Sequence, residues 1–542
     1  MGPDPMVGHG LGYTGRMSAQ SPHVQHVRQV LLWPLRLMPP DGAERAHARP
    51  WELLGADSPW REVTSAQDAS AAFQERYYTE FVSFLPYVQR FLFGAGQRRI
   101  FRRKDIARVR VTTQPGAEPC VLDVHNLCLH FFFDVDIVLL VMEVGANDLP
   151  FDEAQDLLYR FGRAYPAGWD DAGNALHCMH GVEWLDADGR LLVQSDAQER
   201  QAFIDQVVRH QAPRIASHWR YLLEPMEPDA PGATAALRYR QVEYYRMPMM
   251  AYLAVDRPSE LSPADFAALG TMAGTSSAPA DAQRTQSDGV DRRYFYDRFW
   301  CNGGAAPYTR YICSGYALVV VGDAASQFFC CKERGVLSQF RHQHFLLFMI
   351  AHLQKASLLM FSDRLAEALT ELQVTDADSV RSFKRRIRYA FESFLRFTHR
   401  YWFTEISDQQ QIRALFRMCG QHLDIERAYA EVKTRVADMN GYLEADSLRR
   451  QANTVVRLTV VTIFGMIGTI TTGFLGMNLL AEADAPMSRR VWIFGSVFVI
   501  TTALTVYTMA KSKRLSDFLD ALSDERLSVW TKVKALIGVW RS

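Results

Sequence analysis

The sequence predicts an α/β domain followed by a long helical stalk and two C-terminal transmembrane helices. Proline placement supports the first division, because of the 23 prolines in the 542-residue chain all but Pro486 lie at or before Pro307. Proline breaks helix interiors at a cost of about 3 kcal/mol, so long helices are expected only after residue 307. Two apolar segments, Thr454–Leu475 with the single charge of Arg457 and the uncharged Val491–Met509, predict the two spans.

Composition excludes few functions. The 60 basic and 60 acidic residues balance, so charge gives no reason to expect a nucleic-acid partner. The eight cysteines lack zinc-type spacing, which favours a reduced cytosolic environment for most of them. The apolar run Val30–Met38 is interrupted by Pro34 and Arg36, which argues against a signal peptide. We expect residues 1–25 to form a disordered N-terminal extension.

Residues 26–330 are predicted to form the cytoplasmic α/β domain. The predicted strands are runs of β-branched and aromatic residues: Gln29–Met38, Val109–Thr113, Val121–Asp123, Phe131–Phe133, Ile137–Val144, Tyr239–Tyr252 and Tyr311–Val321. Asp152–Arg160 is predicted to be a helix, because Asp148-Leu149-Pro150 before it is a helix-start signal. Leu223–Thr234 and Met272–Asp291 are rich in Pro, Ala, Ser and Gly and are expected to be loops.

Residues 331–453 are predicted to form the helical stalk region. Apolar residues recur at three- and four-residue steps in His344–Leu372 and Val380–Phe403, and a third helix is expected to begin near Asp408. Gly420 and Asn440-Gly441 allow breaks, so a soluble coiled coil that ends before the membrane is the alternative. If the third helix continues into the first span, it forms a stalk roughly 100 Å long.

The charges around the two spans predict their topology. The spans are assigned to residues 454–478 and 491–510, with an external loop at 479–490, and each is long enough to cross a hydrocarbon core of roughly 30 Å. Basic residues flank the pair on the side of the chain ends: Arg449 and Arg450 before the first span, Arg457 near its start, and Lys511, Lys513 and Arg514 after the second. Both chain ends are therefore expected in the cytoplasm, with residues 511–542 as a basic, amphipathic tail.

One face of the first span is a candidate pore lining. Helical spacing brings together Val455, Leu458, Thr462, Met466, Thr469 and Gly473. Two helices cannot enclose a water-filled path, so conduction requires several copies of the chain in a ring. The alternative is packing between membrane helices through Gly465, Gly468 and Gly473. When only the spacing of these residues is considered, packing is favoured over pore lining.

The tripeptide Gly476-Met477-Asn478 ends the first span, and in this setting the C-terminal region resembles the CorA family of magnesium transporters. The resemblance covers roughly Asp408–Arg514. It implies a homopentamer in a lipid bilayer, expected to be a bacterial inner membrane, with the tripeptide at the outer entrance. It also implies Mg²⁺ as the transported ion and as a regulatory ion, and no organic cofactor; no motif marks the regulatory acids. Leu458 is expected to form part of a hydrophobic constriction.

The chemistry of the tripeptide suits a hydrated ion. Mg²⁺ gives up its water reluctantly, so neutral oxygens such as the Asn478 side-chain carbonyl and the Gly476 backbone carbonyl could hold it with its water shell. Weak binding of this kind permits rapid release. The loop acids Glu482 and Asp484 could concentrate cations at the entrance. Leu475 stands where the family commonly has an aromatic residue, and the loop lacks the frequent Met-Pro-Glu-Leu.

Two rival functions stay open. One is a zinc or other transition-metal transporter of the same superfamily, with Co²⁺ and Ni²⁺ as further candidate ions, although Met477 favours magnesium. The other is a membrane-anchored sensor or interaction protein. No Gly-rich phosphate loop of the Walker type suggests a pump, and no enzyme activity is expected.

Two clusters with potential metal ligands are expected to be structural. The first comprises His125, Cys128, His130, Asp134 and Asp136, which alternation along strands would split between two faces. The second is His177-Cys178-Met179-His180, which lacks a second ligand pair. The basic run Lys384–Arg388 is expected to be a solvated helix face.

Overall fold

The computed structural model describes residues 22–39, 49–63, 71–94, 98–230, 233, 235–243, 245–274, 292–370, 372, 377–476 and 486–510. The chain divides into two compact units, Met1–Val436 and Ala437–Ser542. Residues 1–21 of the predicted N-terminal extension lie outside the described residues. The last residues of that extension belong to the first strand, which begins at His23.

A mixed sheet forms the centre of the first unit. Among the described residues its strands are β1 His23–Met38, β2 Arg61–Glu62, β3 Arg98–Arg102, β4 Arg108–Thr112, β5 Cys120–Phe132, β6 Ile137–Pro150, β7 Gly181–Leu185, β8 Leu191–Gln194, β9 Glu227–Pro228, β10 Arg238–Gln241, β11 Met249–Val255, β12 Phe295–Phe299, β13 Thr309–Cys313 and β14 Ala317–Asp323. The main order is β12-β13-β14-β11-β1-β6-β5-β4-β7-β8. Beside this path, β10 pairs with β1 and β9, and β3 pairs with β2 and β5.

The long strands β1 and β6 pair antiparallel at the middle of the sheet, whereas β11 and β14 pair parallel. Both strands of each pair are buried along most of their length. Burial on both faces requires helices on both sides, which explains why these segments are near-continuous apolar runs.

The described helices are α1 Ala71–Val82, α2 Pro86–Phe93, α3 Phe151–Arg160, α4 Arg200–His210, α5 Ser217–Leu223, α6 Pro263–Thr271, α7 Gln327–Cys330, α8 Val336–Thr370, α9 Ala377–Arg400, α10 Gln410–His422, α11 Ile425–Gly476 and α12 Met487–Ala510. Short 3₁₀ turns occur at Pro50–Leu54, Pro258–Glu260 and Arg292–Tyr294. Helix α8 contains a π-helical turn at Phe340–His344.

Helices cover both faces of the sheet. On one face Trp33 of β1 contacts Trp219 of α5, with ring centroids 6.3 Å apart. On the other face Arg36 of β1 forms ion pairs with Asp363 and Glu367 of α8. Helices α8 and α9, which the sequence assigns to the stalk region 331–453, therefore belong to the same compact unit as the sheet.

Three of the seven predicted strands are confirmed as single strands, and four are divided differently. Val121–Asp123 and Phe131–Phe133 lie in or next to the single long strand β5. The predicted strand Tyr239–Tyr252 splits into β10 and β11, with Pro248 just before β11. Tyr311–Val321 folds into the β13–β14 hairpin around Ser314. The predicted helix Asp152–Arg160 is confirmed as α3.

A helix does begin near the predicted Asp408, at Gln410, but it does not continue into the predicted first span. Helix α10 ends at His422, and Asp424 adopts a left-handed φ of 52° before α11 begins. Helix α11 then runs for 52 residues without a break at Asn440 or Gly441. The helix that enters the predicted first span is therefore continuous, but it begins at Ile425 rather than near Asp408.

Candidate functional site

The predicted conduction site lies in the second unit, where α11 and α12 pack together. Val460 of α11 is 2% exposed. Gly468 approaches α12 so closely that a Cβ added to it would lie 2.9 Å from Thr501 Cγ2. Residues 460 and 468 are eight apart and therefore lie on one face of the helix, which is the face that packs.

A different face of α11 is exposed. Leu458 is 68% exposed and Met466 is 59% exposed. The other members of this exposed face, Thr462, Thr469, Gly473 and Gly476, are also exposed. From 458 to 476 the helix makes five turns and rises about 27 Å, close to the thickness of a hydrocarbon core. We call residues 458, 462, 466, 469, 473 and 476 the open face of α11.

The threonines of the open face present oxygen outward. Thr462 Oγ1 donates to the Leu458 carbonyl at 2.8 Å, and Thr469 Oγ1 donates to the Gly465 carbonyl at 2.9 Å. Because each hydroxyl proton is engaged within the helix, the remaining lone pairs can accept hydrogen bonds from an ion's water shell. The sequence from Leu458 to Gly476 carries no charged side chain. The face is therefore neutral, with oxygen acceptors between apolar groups.

The sequence also suggests that Gly465, Gly468 and Gly473 pack α11 against another helix, and one of these three glycines does so. Gly468 contacts α12, whereas nothing lies within 4 Å of a Cβ built on Gly465 or Gly473. Within one chain, the predicted pore residue Gly473 is thus not used to pack α11 on α12.

The signature itself is described only in part. Gly476 is the last residue of α11 and is exposed. Met477, Asn478, Glu482 and Asp484 lie outside the described residues, as do Lys511, Lys513 and Arg514. Their roles stay predictions.

The predicted spans coincide with helical residues of α11 and α12, many of whose large apolar side chains are exposed. Besides the open face they include Val455, Ile463, Val491, Trp492, Phe494, Val499 and Ile500. Apolar surface of this extent is typical of a protein or lipid contact.

One described helix, α8, has the length and apolar composition of a membrane span. It is a core helix, because 78% of its most apolar window is buried within the first unit. The assignment of α11 and α12 to a membrane stays a prediction.

The acidic residues of the first cluster hold helices onto the sheet. Asp136 forms an ion pair with Arg364 of α8 and accepts a hydrogen bond from Tyr389 of α9 at 3.1 Å. Asp134 pairs with Arg396 and Arg400 of α9. No group of three or more His, Cys, Asp or Glu side chains with metal-site geometry occurs among the residues the structure describes.

The histidines of both clusters have separate neighbours. His125 contacts Arg28, and His130 is buried beside Phe345. In the second cluster His177 contacts the Tyr159 hydroxyl, and His180 accepts from Gln198 at 3.1 Å. On α9, Phe383 and Ile387 are buried, and of the basic run Arg385 and Arg388 are exposed whereas Lys384 and Arg386 are half-buried.

No family model, no curated protein and no solved structure matches this chain. The resemblance to the CorA family therefore stays a prediction that depends on the signature and its surroundings.

Proposed function

We propose that this chain is the protomer of a homo-oligomeric membrane channel, with five subunits expected, that admits divalent cations, Mg²⁺ above all. The observation that carries the proposal is the open face of α11, which is neutral, exposed along five helical turns and ends at Gly476. A single chain leaves this face without a partner among the described residues, whereas a ring of chains would turn it inward around a common axis.

The open face provides the chemistry of a permeation path. Rings of Thr462 and Thr469 oxygens would accept hydrogen bonds from the water around a cation, and neutral ligands of this kind let the ion leave again. Met466 and Leu458 would narrow the path, with Leu458 forming a hydrophobic constriction that can exclude water. The packing face of α11, including Gly468, would hold α12 on the outside.

At the outer end, Gly476, Met477 and Asn478 would form the selective entrance. Asn478 supplies a neutral carbonyl that can bind the hydrated ion without stripping its water, as Mg²⁺ requires. Glu482 and Asp484 would raise the local cation concentration, and Lys511, Lys513 and Arg514 would anchor the cytoplasmic side.

The membrane potential suffices as a driving force. One charge crossing 100 mV gains about 2.3 kcal/mol, so a divalent ion gains about 4.6 kcal/mol. This free energy supports an inward gradient of roughly three orders of magnitude without nucleotide hydrolysis.

Ion flux into liposomes that contain the purified protein tests the proposal. We expect Mg²⁺ entry that increases with a negative interior potential, and we would compare Co²⁺, Ni²⁺ and Zn²⁺ under the same gradient. Faster Zn²⁺ than Mg²⁺ entry would favour the transition-metal alternative. If none of the four ions enters, the channel proposal is contradicted, and the two predicted spans would serve only as a membrane anchor.

A further inference from the structure

A cavity of about 570 Å³ lies in the first unit, between the sheet strands β3, β5 and β6 and the beginning of α8. Its volume is in the range of small-molecule sites. The lining is rich in basic and aromatic side chains, among them Arg98, Arg99, Arg102, His130, Arg341 and Phe345. The proposed channel does not use this cavity.

The acidic side chains in the lining already have arginine or histidine partners. Glu62 pairs with Arg99. Glu143 Oε1 lies 2.7 Å from Arg341 Nε. Glu80 Oε1 lies 2.6 Å from His342 Nδ1.

Two arginines of the lining form no ion pair with a carboxylate among the described residues, although the charge of nearby Glu80 acts on Arg98. Arg98 donates to the Leu92 carbonyl at 3.0 Å and contacts Met349 Sδ at 3.6 Å. Neither Arg98 nor Arg102 forms an ion pair with any residue of the described chain. Burial lowers the pKa of Arg98 to about 10, so it is still protonated at neutral pH. A buried cation is normally paired, because an uncompensated buried charge is costly; this argument applies to Arg98, whereas Arg102 is exposed.

A buried histidine supplies a second, independent indication. His130 is 4% exposed, and its Nδ1 has no hydrogen-bond partner among the described residues. Buried polar atoms are normally hydrogen-bonded, so an orphan atom beside a cavity suggests a bound group that the protein alone does not provide.

Strand geometry arranges these three side chains in a row. Arg98 and Arg102 are four residues apart on β3, so both point to the same face and their Cα atoms are about 13 Å apart. His130 of β5 pairs directly with Ile100, midway between them, and points to that same face. The row can therefore contact several linked anionic groups rather than one.

The helix on the other side of the cavity is irregular at this point. Arg341 and His342, which both line the cavity, lie in the π-helical turn Phe340–His344. π-Helical turns within α-helices frequently mark functional sites. Aromatic rings of Tyr77 and Phe93, 5.1 Å apart, provide an apolar part of the same lining.

We propose that this cavity binds a nucleotide-sized polyphosphate ligand, with its phosphates along the row of Arg98, His130 and Arg102. Arginine suits phosphate oxygens because its planar guanidinium donates two parallel hydrogen bonds. The organic part of the ligand packs against the aromatic rings.

Binding of ATP to the purified full-length protein, measured calorimetrically in EDTA to exclude metal effects, tests this proposal. We expect ATP to bind more tightly than AMP, and AMP more tightly than inorganic phosphate. Arg102→Gln and Arg98→Gln should each weaken ATP binding about tenfold or more, the effect expected for a charge-assisted hydrogen bond. Arg110→Gln is the matched control, because Arg110 is on β4, pairs with Glu183 and does not line the cavity.

Arg102 is exposed, so its replacement should leave the fold intact, which thermal unfolding of each variant checks. Absence of ATP binding at millimolar concentration would overturn the proposal. So would equal binding by the wild type and Arg102→Gln, or AMP binding as tight as ATP binding. These outcomes are independent of ion flux and leave the proposed channel unaffected.

Discussion

Gly468 of α11 and Thr501 of α12 meet so closely that a Cβ on residue 468 would lie 2.9 Å from Thr501 Cγ2. Thr501 has little freedom to move away, because it is β-branched and its hydroxyl donates to the Val497 carbonyl at 2.7 Å. The contact fixes which face of α11 packs on α12 and thereby which face stays open.

Gly468→Ala should therefore destabilise the helix pair, whereas Gly465→Ala should not. Both replacements gain the same helix propensity, about 1 kcal/mol. The difference in stability between the two variants therefore reports the contact between residue 468 and Thr501. We expect Gly468→Ala to be less stable than Gly465→Ala by about 1–3 kcal/mol, the usual cost of overpacking. Thermal unfolding in detergent measures this difference in stability. Equal unfolding midpoints for the two variants would show that α11 and α12 do not pack at residue 468.

Cysteines placed on the two faces of α11 should differ in their effect on flux. A charged thiol reagent should block Mg²⁺ flux through Thr469→Cys, because residue 469 belongs to the open face. Mg²⁺ flux through Val460→Cys should be unaffected by the reagent, since residue 460 is buried. The wild type, treated in parallel, gives the background from its eight native cysteines. Block at both positions or at neither would argue against the open face as the ion path.

Asp136→Asn should weaken the attachment of α8 and α9 to the sheet. Burial alone would lower the pKa of Arg364, but the Asp136 carboxylate and other neighbouring groups raise it by more, so the net shift is upward. Removing one partner of a buried ion pair costs about 3–5 kcal/mol. Chemical denaturation should show a loss of this order. Asp378→Asn, which removes an exposed pair with Arg381, should leave stability nearly unchanged; a similar loss in both would contradict the role of Asp136.

Acidification should destabilise the first unit through its buried histidines. Burial lowers the pKa of His352 to about 3, so the folded state holds this ring neutral while the unfolded chain binds a proton below about 6.5. Stability is therefore complete above pH 6.5 and declines as the pH falls towards 3, by up to about 1.4 kcal/mol per pH unit for one histidine. His352→Leu should flatten the pH dependence of the unfolding midpoint between pH 6.5 and 5. An unchanged slope would contradict the assignment.

The central strands were predictable from sequence because burial on both faces demands long apolar runs, as in β1 and β6. The division of Tyr239–Tyr252 was missed although Pro248, which cannot donate to a sheet, lies just before β11. The start of α11 could not be predicted in the same way. Lys355 of α8 donates to the Leu423 carbonyl at 3.0 Å, a tertiary contact that satisfies the end of α10.

The candidate ion path on α11 was also predictable from sequence in part. Helical periodicity alone placed Leu458 and Met466 on one face, and the structure separates that face from the packing face at Val460. The roles of Asp134 and Asp136 were not predictable, because their arginine partners are more than 200 residues away in the chain. The arginine–histidine row of the cavity was missed for the same reason: β3 and β5 must pair before it exists.

Mg²⁺ flux through Asn478→Ala tests the central claim most directly. The variant should insert into liposomes and assemble to the same oligomeric mass as the wild type, because it only replaces one neutral side chain by a smaller one. We predict that its potential-driven Mg²⁺ entry is lost while assembly is unchanged. Wild-type rates in Asn478→Ala, or a wild-type protein that is monomeric or dimeric in mild detergent, would contradict the account.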